Sequence, residues 1–326
     1  MPVLRGDDPV ALTAAAKRLA LGGLVAFATE TVYGLGARAD DDAAVAGIFA
    51  AKGRPADHPL IVHVADLAQA AHFASTLPEA ARRLAQAFWP GPVTVIVPRA
   101  PGVALACAGG QSSIGLRCPS HPVAQALLRQ AAALGVAGVA APSANRFGRV
   151  SPTSAAHVAQ EFGPDLWVLD GGDCALGIES SIVDVSRGWP VLLRPGVLTR
   201  AQLEAALGEP LHEPDAQAPR APGTLASHYA PTARVRLWSP GALDSALHAA
   251  AILPAGLAVY SRRTGPAPLA CLWRVMSDDP GRVAHELFAL LRQWDNAGVA
   301  EIWVELPPDH AEWAGVLDRL RRAATP

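Results

Sequence analysis

The sequence predicts an α/β protein of two domains joined by a linker. Short apolar runs rich in β-branched residues alternate with alanine-rich helical patterns over the first two-thirds of the chain. A proline-rich stretch follows, and then a second, shorter α/β pattern. We therefore predict a first domain over residues 1–208, a linker over 209–232 and a second domain over 233–326. With 326 residues, 51% of them hydrophobic, the chain can bury a core in each domain.

Strands and helices of the first domain are indicated by composition and by capping residues. One predicted helix begins near Asp41 and stops at Gly53, one begins at His121, and one begins at Thr199, which forms a T-x-x-Q capping box with Gln202. The order of the strands cannot be derived from this pattern. The runs with the character of strands are residues 24–29, 59–64, 92–97, 113–118, 166–170, 181–185 and 190–194.

The second domain repeats the pattern on a smaller scale. A helix opens at Asp279 and Pro280, and its apolar residues recur on one face. The last helix, predicted to include Trp313, shows the same spacing, which is typical of core. The domain lacks both a G-x-G-x-x-G turn and a P-loop, so we predict no nucleotide site there. Its predicted strands are residues 234–238, 256–261, 270–276 and 301–306.

Composition and charge argue against several classes of function. The formal net charge of −2 provides no overall basic field for nucleic acid, so any RNA contact is expected to be local or indirect. Four cysteines without a C-x-x-C pair argue against a zinc site or a disulfide framework and predict buried free thiols. The first residues do not resemble a signal peptide, and no apolar run reaches the roughly 18 residues of a membrane span. We therefore expect a cytoplasmic protein.

Polar clusters follow several predicted strands, where open α/β sheets commonly bind ligands. The first, T-E-T-V-Y-G-L-G from Thr29 to Gly36, has hydroxyls and glycines that suit either a ligand loop or an ordinary polar turn. Ser143 and Asn145, in P-S-A-N, offer donors and acceptors for a carboxylate, a phosphate or a hydrated metal. The same two residue types are also ordinary turn formers.

Cations accompany these clusters. The chain has 25 arginines but only two lysines, which makes Lys52, in K-G-R-P at a predicted helix end, conspicuous. Lys52 and Arg54 form either an anion clamp or a surface pair that compensates the helix dipole. Arg117 ends an apolar strand and either extends to solvent or binds an anion, and Arg194 ends another strand. Cations and hydroxyls without a Cys–His pair or paired carboxylates indicate phosphoryl-type substrates.

Taken together, these segments resemble the threonylcarbamoyl-AMP synthase family with its YrdC-like domain. T-x-T-V-Y-G-L-G, K-G-R-P followed by P-L, F-W-P-G-P-V-T, G-L-R-C-P, P-S-A-N, E-S-S-I-V-D and L-R-P-G occur in the family's order over roughly residues 10–206. The linker motif P-G-x-x-x-x-H-Y-A-P, from Pro222 to Pro231, and the second domain resemble the family's long form. The resemblance implies a twisted open mixed sheet with a concave, positively charged cleft, plus a smaller Rossmann-like α/β domain.

The resemblance also implies a reaction, that of an L-threonylcarbamoyladenylate synthase. The threonine amine takes up bicarbonate, the resulting N-carboxylate attacks the α-phosphate of ATP, and pyrophosphate leaves, which is nucleotidyltransferase chemistry. The product would pass to a threonylcarbamoyl transferase complex that forms threonylcarbamoyladenosine at position 37 of ANN-decoding tRNAs. Mg²⁺ would arrive with ATP rather than at a protein metal site. Contact with tRNA is expected to be indirect or weak, and contact with a membrane is not expected.

The resemblance further implies the site residues. The linker residues His228 and Tyr229 are expected to enter the cleft as a lid, although Tyr229 could instead pin the linker to the surface. The catalytic candidates are Lys52, Arg54 and Arg117. The candidates for binding threonine and bicarbonate are Thr31, Tyr33, Arg54, His63, Arg117 and Ser181. The candidates for binding ATP are Lys52, Ser143, Asn145, Ser151, Arg194 and Tyr229.

Three other functions remain open at this point. A sister activity would transfer a carbamoyl group through carbamoyl-adenylate, but the protein known for it carries cysteine-rich zinc segments that four scattered cysteines cannot supply. An RNA-binding protein without catalysis would need a basic, aromatic-rich surface, which the near-neutral charge does not favour. A dinucleotide oxidoreductase would need a glycine fingerprint that the sequence lacks.

Overall fold

The computed structural model describes residues 3–249, 254–263 and 271–325, so the predicted domain ends at Met1 and Pro326 lie outside the described residues. Its strands are β1 (Val3–Arg5), β2 (Val25–Phe27), β3 (Gly34–Arg38), β4 (Ile61–His63), β5 (Val93–Pro98), β6 (Ser113–Arg117), β7 (Val139–Ala140), β8 (Trp167–Asp170), β9 (Ser181–Asp184), β10 (Val191–Arg194), β11 (Arg234–Trp238), β12 (Leu257–Ser261), β13 (Cys271–Val275) and β14 (Glu301–Glu305). Its helices are α1 (Pro9–Ala20), α2 (Asp42–Lys52), α3 (Leu67–Phe73), α4 (Glu79–Phe88), α5 (Leu105–Ala108), α6 (Pro122–Ala133), α7 (Ala155–Glu161), α8 (Arg200–Leu207), α9 (Pro240–Ala249), α10 (Pro280–Asn296) and α11 (Ala314–Ala324).

The strands form two sheets. The larger is a mixed sheet of ten strands in the order β1-β8-β2-β3-β7-β4-β6-β5-β9-β10. It combines parallel pairs, such as β4 with β6, and antiparallel pairs, such as β4 with β7. The smaller sheet, β11-β14-β12-β13, is parallel throughout. The predicted fold class, an open mixed sheet with a smaller C-terminal α/β domain, is confirmed.

Each of the predicted strand runs in the first domain contains an observed strand, but β1, β3 and β7 escape the sequence pattern. β3 is the clearest case, because it begins with Gly34-Leu35-Gly36 directly after a polar loop. A Cβ at Gly36 would lie 2.8 Å from Phe27 Cε1 and 2.9 Å from Val139 Cγ1. These neighbouring side chains lie so close to the backbone at position 36 that only glycine fits there. The local composition of the sequence does not reveal such a close contact.

The three helices marked by capping residues are confirmed. Asp41 accepts hydrogen bonds from the first turn of α2, which ends at Gly53 in the left-handed conformation (φ 62°). His121 caps α6 through its ring. Thr199 and Gln202 form both hydrogen bonds of the capping box at the start of α8.

The four predicted strands of the second domain are also observed, although Ala270, which begins one of the predicted runs, lies outside the described residues. Asp279 caps α10 as predicted. Trp313 is buried as core but does not belong to the last α-helix, because it closes a 3-10 turn over Ala311–Trp313 that precedes α11. The tighter turn continues into α11, so apolar spacing alone does not separate the two.

The C-terminal domain packs directly on the first domain. Ile178 and Tyr229 share one apolar cluster with C-terminal residues such as Phe288. A Cβ at Gly177 would lie 2.4 Å from the carbonyl oxygen of His285 in α10. One at Gly315 in α11 would lie 2.4 Å from that of Gly196. The loops before β9 and after β10 are therefore in close backbone contact with the C-terminal helices.

Two further expectations concern cysteines and membranes. Cys107, Cys118 and Cys174 are buried free thiols, as predicted, and Cys271 is half-buried. Within the described ranges, no helix combines the length and the apolar character needed to cross a membrane.

Candidate functional site

A cavity lies against one face of the ten-stranded sheet. Its atom-free space, including the open mouth, is about 540 Å³. Ile61 and His63 line it from alternate positions of β4, and Arg117 is paired with His63 in the sheet. Because the sheet is mixed, the strand ends do not all meet at one edge, and the cavity therefore lies across a face instead.

The cavity collects many of the residues predicted from sequence. The predicted residues in its wall are Thr31, Arg54, His63, Arg117, Ser143, Arg194, His228 and Tyr229. The predicted residues that are absent from its wall are Tyr33, Lys52, Asn145, Ser151 and Ser181.

The polar loop after β2 is buried and lines the cavity rather than forming a solvent-exposed turn. Thr29 and Thr31 are both buried in it, and their hydroxyls lie 2.9 Å apart. The Thr29 hydroxyl also accepts the amides of Thr31 and Val32, so the side chain holds its own loop. Tyr33 points elsewhere, because its hydroxyl donates to Gly172 O (2.8 Å) and accepts the Gly171 amide (3.1 Å).

Lys52 is buried beneath the P-S-A-N loop rather than exposed at a helix end. Its Nζ donates to Ser143 O (2.6 Å) and to Asn145 O (2.5 Å). Burial lowers the pKa of Lys52 well below its ordinary value. The side chain thus fixes the loop that carries Ser143 into the cavity, and the interpretation as a surface pair with Arg54 is wrong.

Arg54 reaches the cavity from the turn after α2. Its Nη2 donates to Pro59 O (2.8 Å), and its guanidinium lies 5.7 Å from the ring centre of Phe147. The buried Nε has no hydrogen-bond partner. Burial lowers the pKa of Arg54 to about 10, because no carboxylate among the described residues forms an ion pair with it.

Arg117 and His63 form the opposite part of the wall. Arg117 is buried in an ion pair with Glu30 (Nη2 to Oε1, 2.7 Å), a partner that sequence reasoning did not identify. His63 has a buried Nδ1 without a partner. Burial, together with the neighbouring Arg117 charge, lowers the pKa of His63 to about 3, so the ring is neutral near pH 7.

Three predicted residues lie just behind the wall. Asn145 donates to Arg146 O and Arg149 O, but its buried Oδ1 has no partner. The Ser181 hydroxyl at the start of β9 is likewise buried and unpartnered. Ser151 is satisfied, since its hydroxyl donates to Glu179, whose side chain does line the cavity.

Arg194 connects the sheet to the linker. Its guanidinium donates to the main-chain oxygen and the hydroxyl of Ser180 and to Pro222 O (2.8 Å) in the linker. It forms no ion pair within the described part of the chain, and burial lowers its pKa. The register explains its position, because Arg194 pairs with Ile182, which pairs with Thr94 on the strand beside β6.

The linker residues His228 and Tyr229 complete the wall. Both side chains are buried, with ring centres 4.2 Å apart. The Tyr229 hydroxyl and His228 Nδ1 have no hydrogen-bond partner. Tyr229 adopts a positive φ of 60°, a conformation that its neighbours must stabilise. The alternative in which Tyr229 pins the linker to the protein surface does not describe this geometry.

Several of the unpartnered buried atoms of the described residues lie at this cavity. Buried polar atoms are normally paired, and leaving one unpaired costs free energy. Those of Arg54, His63, His228 and Tyr229 belong to the cavity wall. A polar ligand could satisfy them, and two arginines without carboxylate partners favour an anionic one.

Sequence reasoning missed Glu30, Glu179 and Arg319. Glu30 and Glu179 occur within the recognised motifs, but no local feature of the sequence marks either of them as a residue of the site. Arg319 lies more than a hundred residues away, on α11, and bonds Glu179 (2.9 Å). Its helical pattern provided no signal. Among the described residues no group of three or more His, Cys, Asp or Glu side chains is arranged to hold a metal ion.

Comparison with known proteins identifies the family. The profile of the Sua5, YciO and YrdC family, described as telomere recombination, matches residues 17–196. The profile described as threonylcarbamoyl-AMP synthase, C-terminal domain, matches residues 198–325. The chain belongs to the threonylcarbamoyl-AMP synthase family. The family assignment made from the motifs is therefore confirmed, and this is a family of enzymes.

Individual relatives match most of the chain. A threonylcarbamoyl-AMP synthase of Pyrococcus abyssi is 39% identical over 313 residues, which cover 93% of this chain and 91% of the relative. One of Bacillus subtilis is 38% identical over 338 residues, with 98% and 94% covered. The structure of P. abyssi Sua5 complexed with L-threonine superimposes with a TM-score of 0.85 at 36% identity and covers 96% of this chain and 94% of that one.

Proposed function

We propose that this chain is an L-threonylcarbamoyladenylate synthase, a nucleotidyltransferase that forms threonylcarbamoyl-AMP and pyrophosphate from L-threonine, bicarbonate and ATP. The observation that carries the proposal is the buried cavity with Arg54 and Arg194, two cations without carboxylate partners. Each of the three substrates carries an anionic group, namely the threonine carboxylate, bicarbonate itself and the triphosphate of ATP, and buried arginine forks bind such groups well.

The relatives support the choice of substrate. Members that match nearly the full length of this chain are named threonylcarbamoyl-AMP synthase. The P. abyssi protein has been crystallised with L-threonine, and it shares this fold over 96% of the chain. We infer that threonine binds in the equivalent cavity here.

The proposed chemistry needs little from a side-chain base. The threonine nitrogen attacks the carbon of bicarbonate, water leaves, and a carbamate forms. A carbamate oxygen then attacks the α-phosphorus of ATP, the bond to the β-phosphate oxygen breaks, and pyrophosphate departs with that electron pair. Negative charge grows on phosphate oxygens, so preorganised cations supply the main stabilisation.

Roles for individual residues follow from their placement. Arg54, with its unpartnered Nε, would hold the threonine carboxylate together with Thr31. Arg117 and Ser143 would hold bicarbonate and the phosphate region. Lys52, whose Nζ is bonded to two carbonyls, would act on the α-phosphate region chiefly through the loop that it holds. Arg194 and the linker residues His228 and Tyr229 would close the part of the cavity that binds ATP.

Mg²⁺ would be held mainly by the triphosphate of ATP, since the described residues do not provide a carboxylate cluster. The unpartnered oxygens of Asn145 and Ser181 suit a hydrated ion or a phosphate group. The ion would neutralise charge on the phosphates while the arginines orient them.

The product would be consumed in tRNA modification. Threonylcarbamoyl-AMP is a mixed anhydride that hydrolyses in water, so a transferase must take it up promptly. We propose that it serves a cytoplasmic threonylcarbamoyl transferase complex acting on adenosine 37 of ANN-decoding tRNAs. The net charge of −2 accords with an indirect or weak contact of this chain with tRNA.

The test is a pyrophosphate-release assay with ATP and Mg²⁺, with threonine and bicarbonate omitted in turn, and mass analysis of the AMP-containing product. Release that requires both substrates, with the mass of threonylcarbamoyl-AMP, supports the proposal. The absence of threonine-dependent release would contradict the proposal, and release that instead requires an added carbamoyl donor, with a carbamoyl-AMP product, would replace it with the sister carbamoyl chemistry.

A further inference from the structure

Arg319 is a fully buried arginine outside the predicted site. It belongs to α11 of the C-terminal domain, and its relative exposure is 0%. Its Nε donates to Glu179 Oε2 (2.9 Å), its Nη2 donates to Glu179 O (3.1 Å), and its Nη1 donates to Pro195 O (2.8 Å). The side chain of Arg319, from the C-terminal domain, therefore bonds both the segment before β9 and the loop after β10.

Glu179 links this arginine to the cavity, because its side chain forms part of the wall. Its other carboxylate oxygen accepts the hydroxyl of Ser151. With both oxygens engaged, Glu179 is positioned rather than free to take a proton from substrate. The orientation of the carboxylate depends on Arg319, which is its ion-pair partner.

Arg319 also supports the linker. Its guanidinium lies 5.4 Å from the ring centre of Tyr229, and Phe288 of α10 lies 5.4 Å from the same ring. Tyr229 has a positive φ and no hydrogen bond to its hydroxyl, so packing must hold its ring in place. Two C-terminal helices thus provide the packing for a residue of the cavity wall.

Close backbone contacts also connect helix α11 with the start of β9 and the loop after β10. A Cβ at Gly196 would lie 2.5 Å from the Ser181 amide nitrogen, and one at Gly315 would lie 2.4 Å from Gly196 O. The start of β9, the loop after β10 and helix α11 are therefore stacked without intervening side chains. A displacement of α11 would be transmitted to Ser181 and Glu179.

We propose that Arg319 is a positioning residue of the catalytic cavity, which fixes the Glu179 carboxylate and the Tyr229 ring so that the C-terminal domain completes the wall. The effect on turnover rests on the proposed function, whereas the effect on the linker does not. The C-terminal domain is then part of the active site's construction, beyond its attachment to the linker.

The chain offers a matched control. Arg292 of α10 is also buried, and it also binds one carboxylate of the first domain, Glu161, and two main-chain oxygens, those of Val150 and Ser151. None of the side chains that it bonds lines the cavity. Arg319→Met and Arg292→Met therefore each remove one buried interdomain arginine, but only Arg319 bonds a side chain of the cavity wall directly. Arg292 reaches the wall only through the main chain of Ser151, whose hydroxyl donates to Glu179.

The experiment compares wild type, Arg319→Met, Arg319→Lys, Glu179→Gln and Arg292→Met by pyrophosphate-release kinetics and by hydrogen exchange of linker peptides covering residues 222–231. In this linker the amides of His228 and Ala230 donate to Arg322 O and Gly148 O. We expect Arg319→Met to lower kcat by about a hundredfold, as misplacement of site groups does. Linker exchange should quicken about tenfold. Lysine at 319 should restore part of both, and Arg292→Met should change neither by more than about twofold.

Two results would overturn the proposal: wild-type kcat and linker exchange in folded Arg319→Met, or equal losses in Arg292→Met. If Arg319→Met does not fold, Glu179→Gln decides, because it breaks the same contact with Arg319 in place. Unchanged kcat and exchange in that variant would also refute the role. If wild type itself shows no threonine-dependent release, the proposed function fails, and the exchange data still decide what Arg319 does.

Discussion

Arginines occur near strand ends in both sheets, but their surroundings differ. Arg262, directly after β12 in the four-stranded sheet, binds Glu305 through Nε and Nη2, and Glu305 also accepts the Ser261 hydroxyl and the Arg262 amide. Arg194, at the end of β10 in the ten-stranded sheet, meets only main-chain oxygens and a serine hydroxyl.

This difference is the one expected between an arginine with a structural role and one that binds an anionic ligand. A buried charge paired with a hydrogen-bonded carboxylate is complete without a ligand. A buried cation without such a partner destabilises the ligand-free protein. An anion that binds to it offsets this cost. The sequence of the second domain also lacks a G-x-G-x-x-G turn and a P-loop. Its absence of nucleotide motifs agrees with a structural role for Arg262.

The largest expected effect is at Arg54. We expect Arg54→Glu to lower kcat/KM for threonine-dependent pyrophosphate release by about a thousandfold, because it replaces an unpaired cation in the cavity with an anion. Arg54→Met should cost less, since it removes attraction without adding repulsion.

The control for Arg54 is Arg262→Met. It removes a paired arginine of the second sheet, so it should lower the melting temperature and leave kcat/KM within about twofold. Undiminished turnover in folded Arg54→Glu would remove Arg54 from the site and weaken the contrast between the two sheets.

A second effect separates the two lysines. Lys52→Met should lower the free energy of unfolding by about 2 to 4 kcal/mol, because the carbonyls of Ser143 and Asn145 lose a buried donor. Lys17 is exposed on α1, and Lys17→Met should stay within about 0.5 kcal/mol. Urea unfolding measures both, and equal values would show that the loop does not depend on Lys52.

Acid stability should depend on the buried histidines of the first domain and linker. Burial lowers the pKa of His63 and of His228 to about 3, and that of His157 to about 4, from an ordinary 6.5. Below pH 6.5 the unfolded chain binds protons that the folded chain does not, so stability is complete above this pH and falls as the pH decreases toward the folded values. The buried His63 and His228 should each contribute about 1.4 kcal/mol per pH unit, and the half-buried His157 should contribute less.

Urea unfolding between pH 7 and pH 5 measures this slope. His63→Gln should reduce it by one histidine's share. A free energy of unfolding that does not change over this interval would contradict the burial of neutral rings.

The smallest effect separates two tyrosines. The Tyr229 hydroxyl has no partner, so Tyr229→Phe should not lower stability but should lower kcat/KM by about tenfold through a lost substrate contact. The Tyr260 hydroxyl of the second domain donates to Glu286 (2.7 Å), so Tyr260→Phe should cost about 1 kcal/mol and leave turnover unchanged. Unchanged turnover in Tyr229→Phe together with reduced turnover in Tyr260→Phe would place the ligand outside this cavity.

Much of the architecture could be predicted from local sequence. Asp41, His121 and Thr199 cap their helices through hydrogen bonds that span two or three residues, so the signal lies within the segment itself. The strand β3 could not be predicted this way, because Gly36 is required by Phe27 on the neighbouring strand β2 and by Val139, which lies far away along the chain.

The residues of the site can also be divided into those that the sequence placed correctly and those that it did not. Arg54, Arg117 and Arg194 stand out as cations in apolar or glycine-rich settings, and all three line the cavity. Tyr33 and Lys52 belong to equally distinctive motifs, yet their polar atoms bond main-chain carbonyls away from the wall. A motif therefore indicates that a residue matters without indicating whether it meets the ligand or holds the loop that does.

The sequence by itself determined the α/β class, most of the strands, the capped helices and the family, and it predicted the cationic character of the site, because each depends on residue types at short spacing. Only the tertiary structure decided which groups share one cavity, that Glu30 pairs with Arg117, and that Arg319 of the last helix supports Glu179 and Tyr229. These contacts join residues that are far apart in sequence. They depend on strand order, register and the close glycine approaches between the domains, none of which any local pattern records.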